Sequence, residues 1–147
     1  MNKAKLVLGV FVALVVVLLG GWFWGASGRG NLNRALQASE LRTDLLEGRS
    51  SVLTARLDLY RVNFGDASRH LEDARGALRR AEEQLKGLGR QDDVKRLGPA
   101  LTRIDEAQRL AGQLDQDANS RAAEAVTTID DVLGTEVTRQ GANSRSN

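Results

Sequence analysis

The chain has 147 residues, 41% apolar and 27% charged, with no cysteine, one histidine, one proline and six aromatic residues. These figures exclude collagen-like, disulfide-rich and wholly disordered classes and leave room for one domain with a modest core. The formal charge of +2 comes from Lys3 and Lys5, because beyond position 25 nineteen Lys and Arg balance nineteen Asp and Glu. The body is therefore neutral, and charge gives no reason to expect nucleic acid as a partner.

After a tail of residues 1–5, Leu6 to Trp24 runs for 19 residues without a charge. At about 1.5 Å per residue this is a helix of about 29 Å, the thickness of a bilayer's hydrocarbon core. Thirteen of the nineteen are Leu, Val or Phe, which favours insertion by about 4 to 8 kcal/mol. Leu6, Phe11 and Leu18 stand in the apolar run, and Trp22, Phe23 and Trp24 form an interfacial aromatic belt at its end. A cleaved signal peptide is the rival reading, with Gly25-Ala26-Ser27 as a poor cleavage site and bulky aromatics where small residues belong. The run predicts a single-pass membrane helix. Lys3 and Lys5 orient its amino terminus to the cytoplasm and the body to the outside. Gly9 and Ala13 have the small-xxx-small spacing of a candidate membrane-helix packing face.

Residues 25–30, GASGRG, read as a flexible spacer. From there to about 137 the text is helical, with helices expected near 32–62, 66–88, 92–116 and 117–134. The first has an apolar seam of Leu32, Leu36, Leu46, Leu53, Leu57, Tyr60 and Phe64, interrupted by Ser39, Thr43 and Ser50 and weakened by Gly48. Those interruptions mark where a partner helix could add. The second has the clearest pattern: Ala67, Leu71, Ala74, Leu78, Ala81, Leu85 and Leu88 alternate spacings of four and three, a heptad seam of Leu and mostly Ala. Such a seam admits a close partner, and the short link Asn63-Phe64-Gly65 makes an antiparallel hairpin with the first helix the economical solution. Asp66 is the expected cap, and Gly87–Gly89 the expected end.

Asp92 or Asp93 is placed to cap the third helix, whose inner face is Val94, Leu97, Leu101, Ile104, Ala107, Ala111 and Leu114. Gly98-Pro99 predicts a kink or a fresh start there. Asp117 is placed to cap the fourth, with Ala118, Ala122, Ala125, Ile129 and Val132 inward and Gly134 closing it. Residues 138–147 have nothing to bury and read as a disordered tail. The two hairpins echo each other at a spacing of 51: Leu53 with Ile104, Asp66 with Asp117, Ala67 with Ala118, Ala74 with Ala125, Leu78 with Ile129. Asn63 to Ala74, with Phe64, Ala67, Leu71 and Ala74, resembles the second helix of a tetratricopeptide repeat, and Leu114 to Ala125 is a fainter copy without the aromatic. The resemblance departs from that family in its period and in lacking the Trp/Leu-Gly signature. It implies a helical surface for binding protein segments, and no chemistry.

No chemistry-bearing constellation emerges. His70 is the only histidine and stands beside Asp66 and Asp73 at the edge of the seam. Adjacent carboxylates at Asp92-Asp93 and Asp130-Asp131 point about 100° apart on a helix and form no dyad. Asp115-Gln116-Asp117 lacks the glycine and closing glutamate of a calcium loop. Arg69, Arg75, Arg79, Arg80 and Arg90 are interleaved with acids and read as a solvated, ion-paired face. The sequence thus predicts an all-α protein with a membrane helix and an antiparallel bundle, no catalytic, metal or cofactor site and no small-molecule substrate. Its function would be to bind a protein partner or itself at the membrane surface. A small regulatory subunit acting through a partner's membrane helix and a secreted helical protein are the alternatives.

Overall fold

The computed structural model describes residue 33 and residues 35–145, with the side chains of 140 and 143–145 not described. The expected membrane anchor at 6–24, the tail 1–5, the spacer 25–30 and the Gly9/Ala13 face lie outside the described residues. Among the described residues no helix is long and apolar enough to cross a membrane. The chain divides into two units, Met1–Ala38 and Ser39–Asn147. In the first, the described residues 33 and 35–38 are helical; the second holds a helical bundle.

Its helices are α1 (39–60), α2 (Phe64–Gly87), α3 (Gln91–Gly112) and α4 (Asp117–Arg145), and the described residues contain no strand. Ion pairs and hydrogen bonds fix the order. Asp44 meets Arg80 while Asp58 meets His70, so α1 and α2 are antiparallel. Glu72 and Arg75 meet Gln108 and Asp105 on α3. Arg96 and Arg103 meet Thr135 and Glu124 on α4. Arg49 and Arg56 of α1 meet Asp130 and Asn119, which closes an up-down-up-down ring.

Each helix buries a face spaced by threes and fours: Leu41, Leu45, Val52, Ala55 and Leu59 on α1; Ala67, Leu71, Ala74, Leu78, Ala81 and Leu85 on α2; Leu97, Ala100, Ile104, Ala107 and Ala111 on α3; Ala118, Ala122, Ala125, Ile129 and Val132 on α4. Alanine at so many core positions lets the helices approach closely. Gly48 belongs to the same inner face. It does not merely weaken α1, because a Cβ there would stand 2.7 and 2.9 Å from Leu78 Cδ2 and Cγ. Its missing side chain is the seat of Leu78.

All three turns end the preceding helix in the same way. The residue after the last helical turn takes the left-handed conformation: Val62 at φ 60°, Gly89 at φ 69°, Leu114 at φ 59°. Its amide and the next one then reach back to the helix: Val62 and Asn63 to Leu59 and Asp58, Gly89 and Arg90 to Lys86 and Leu85, Leu114 and Asp115 to Ala111 and Leu110. This is the Schellman motif, which favours glycine. Only the α2–α3 turn has one. The other two turns share the opposite end of the bundle, and there Val62 and Leu114, both exposed, take the strained position.

Several boundaries differ from the sequence reading. Asn63, not Asp66, caps α2: its Oδ1 accepts from the Asp66 amide at 3.3 Å, and its Nδ2 donates to the Asp66 carboxylate at 2.6 Å. No side chain caps α3, which begins at Gln91 with Asp92 and Asp93 in its first turn. It runs unbroken through Gly98 and Pro99 and ends at Gly112, with exposed Leu114 in the turn. Proline removes one helical hydrogen bond on an exposed stretch, a cost that packing at Leu97, Ala100 and Ile104 outweighs.

The largest correction is at the carboxyl end. Gly134 does not close α4, and residues 138–145 are helix rather than disordered tail. Val132 is buried, and two turns of α4 beyond it are tied to the start of α3. Glu136 accepts from Arg90, and Arg139 donates to Asp93. Arg90 Nε also reaches Asp93 Oδ2 at 2.8 Å. Both carboxylates are almost wholly buried, Asp93 at 1% and Glu136 at 2% exposure. These ties outweigh the cost of about 1 kcal/mol for a glycine inside a helix.

Candidate functional site

The seam residues named from sequence separate into two groups. Ala67, Leu71, Ala74, Leu78, Ala81 and Leu85 are fully buried in α2, and Phe64, the first residue of that helix, packs against the core half-buried. On α1 the outcome is different. Leu53 is half-buried against the core, but Leu57 is 59% and Tyr60 83% exposed. Leu57 and Tyr60 are not seam residues of the bundle.

Helical geometry gives the reason. Leu57 and core residue Leu59 are two positions apart, about 200° around the axis. The large apolar residues Leu46, Leu53, Leu57 and Tyr60 thus follow one heptad line, while the inner face uses a second line that includes Gly48 and Ala55. Helix α1 carries two apolar faces, and ranking residues by size selects the outer one.

The outer line reads Ser39, Thr43, Leu46, Ser50, Leu53, Leu57 and Tyr60, all exposed except Leu53. The polar members interrupt its upper half, where the Thr43 hydroxyl donates back to the Ser39 carbonyl at 2.9 Å. Below Ser50 the line is wholly apolar. Pairs on both flanks hold α1 in place. Toward α2, Arg80 donates to Asp44 at 2.8 Å and Glu47 at 2.9 Å, and Gln84 donates to Asp44 at 2.7 Å. Toward α4, Arg49 donates to Asp130 at 2.5 and 3.3 Å, and Arg56 to Asn119 Oδ1 at 3.0 Å. The stripe between these flanks faces outward.

Its lower half forms a shallow groove of about 340 Å³, lined by Leu53, Arg56, Leu57, Tyr60 and Asn119. An apolar floor on a rigid helix, with one cation and one amide on its wall, is suited to contact with another apolar side-chain ridge. At the same end of the bundle, Val62 and Leu114 add exposed apolar side chains.

His70 lies between two carboxylates, Nε2 at 3.5 Å from Asp58 and Nδ1 at 3.7 Å from Asp73. Asp66, its expected neighbour, instead engages Asn63 and Arg69. Among the described residues no group of three or more His, Cys, Asp or Glu is placed to hold a metal ion. The Arg90–Asp93–Glu136–Arg139 cluster, with its two buried carboxylates, was not foreseen. Burial works to raise the Asp93 carboxyl, but the hydrogen bonds and charges of Arg139 and Arg90 outweigh it and hold the group below its ordinary value. The available signal was a pair of i,i+3 partners, Arg90 with Asp93 and Glu136 with Arg139, at the facing ends of two antiparallel helices. This cluster is a clamp between α3 and α4. The chain matches no family profile, no curated protein and no solved structure.

Proposed function

We propose that this chain is a membrane-tethered helical interaction module. Leu6 to Trp24 holds it in the bilayer with its amino terminus in the cytoplasm, and the helical body outside binds a protein partner, or a second copy, through the outer face of α1. The observation that carries this reading is the set Leu46, Leu57 and Tyr60, which lies away from the core face of the same helix and is left exposed by α2 and α4. A helix that needed only to fold would carry one apolar face. The anchor is supported by 19 consecutive uncharged residues ending in Trp-Phe-Trp. Tethering confines the body to a thin layer above the membrane and raises its effective concentration toward any partner there.

Cell fractionation with alkaline extraction tests the tether, and protease accessibility of a carboxyl-terminal tag on intact cells tests the orientation. Photocrosslinking from position 57 in native membranes tests the face. The reading expects a membrane-retained chain, an exposed tag and a crosslinked product that is absent when the crosslinker is moved to Asp105, on an exposed part of α3. A chain released by alkali, or identical products from both positions, would overturn it.

A further inference from the structure

We infer that the groove beside Leu57 and Tyr60 receives an amphipathic helix of another protein whose apolar ridge is flanked by carboxylates. The inference rests on the reading of the body as an interaction module and names the partner's chemistry. The stripe has helical spacing, and half-buried Leu53 shares a shallow groove with Leu57 and Tyr60 of α1 and Asn119 of α4. A ridge of side chains fills such a groove, whereas a flat bilayer does not.

Charge selects the occupant. Arg56 lines the groove, and exposed Arg61 follows Tyr60 in the turn at its end. Among the described residues neither arginine has a carboxylate within 4.0 Å, whereas their neighbours Arg49 and Arg80 are each paired with acids. Two cations therefore border the apolar line without counter-charge. Residues 1–39 cannot supply it, because they hold no Asp or Glu. A second copy meets like charge at the groove in either orientation. Parallel pairing of the stripes sets Arg56 against Arg61 of the copy, and antiparallel pairing centred on Leu57 sets Arg56 against Arg56. A helix with Glu or Asp beside its apolar ridge satisfies both cations.

The test uses the full chain in nanodiscs of neutral phosphatidylcholine and two labelled four-heptad peptides, with Leu at the core positions and either Glu or Lys at the flanking ones. Fluorescence anisotropy at low salt should show the Glu peptide binding about tenfold more tightly than the Lys peptide, since two partly exposed cations change from attraction to repulsion. Leu57→Glu and Tyr60→Glu, both at exposed positions, should abolish binding while leaving the circular dichroism unchanged. Arg61→Glu should narrow the preference, and Leu88→Glu, at the other end of the bundle, should leave it intact. Equal binding of both peptides, no binding of either, or indifference to Leu57→Glu would overturn the inference. So would a dimer of the free chain that Leu57→Glu dissociates, or Leu57-dependent binding to phosphatidylserine vesicles. Failure of the tether itself is read separately, by alkaline extraction, so the two results are distinguishable.

Discussion

Replacing Val62 by glycine should stabilise the protein. A non-glycine residue in the left-handed region carries a cost of about 1 to 2 kcal/mol, with the β-branched side chain at the upper end. Val62 stands there at φ 60° and is exposed, so removing its side chain sacrifices little burial. Glycine adds conformational freedom to the unfolded chain, which offsets about 0.5 to 1 kcal/mol of the gain. The net expectation is a stabilisation of about 0.5 to 1 kcal/mol, or a few degrees in Tm. Leu114→Gly should act in the same direction, and Gly89→Ala, which imposes the strain on the third turn, in the opposite one. Thermal and urea unfolding of the full chain in mild detergent, followed by circular dichroism, measures all three. A lower Tm for Val62→Gly would refute the reasoning and show that the valine packs in a way its exposure hides.

Other substitutions probe the core and the clamp. Gly48→Ala should destabilise by about 1 kcal/mol, since displacing buried Leu78 costs about 1 to 3 and helix propensity returns about 1. Gly134→Ala, where a Cβ meets nothing within 4 Å, should stabilise by about 1 kcal/mol; equal effects at the two sites would refute the close approach of α1 to Leu78. Pro99→Ala restores a hydrogen bond inside α3 and should raise stability by about 1 to 3 kcal/mol, read as a higher urea midpoint. Asp93→Asn should cost about 2 kcal/mol, less than a fully buried broken pair because Arg139 is half exposed, and should speed amide exchange in α4 beyond Val132. The native Asp93 carboxyl lies below its unfolded value, so its contribution is complete above pH of about 4 and is lost as pH falls through the folded value. Acid should therefore loosen the end of α4 more in the native chain than in the Asp93→Asn variant, which keeps the Glu136–Arg90 pair.

How far the sequence could be read depends on which face of a helix its large residues occupy. On α2 the Leu and Ala positions share one face, and spacing alone places them inside. On α1 they do not. Leu46, Leu57 and Tyr60 look like core because they are large, yet the core there is made where Gly48 and Ala55 bring the backbones together, and a missing side chain leaves no mark in an apolar pattern. The residues that interrupt the outer line, Ser39, Thr43 and Ser50, would be errors in a buried seam and are ordinary on an exposed one. At the carboxyl end the obstacle was of another kind. Glycine at 134 and a polar run after it obey the local rules for a helix stop, and what carries α4 onward is a long-range contact with Arg90 and Asp93, some forty-six positions away. Local propensity at that end is worth about 1 kcal/mol, and two buried charge-assisted hydrogen bonds exceed it. The misassigned leucines are thus the informative ones: a residue whose spacing says core and whose exposure says surface marks where this bundle has an uncovered apolar face.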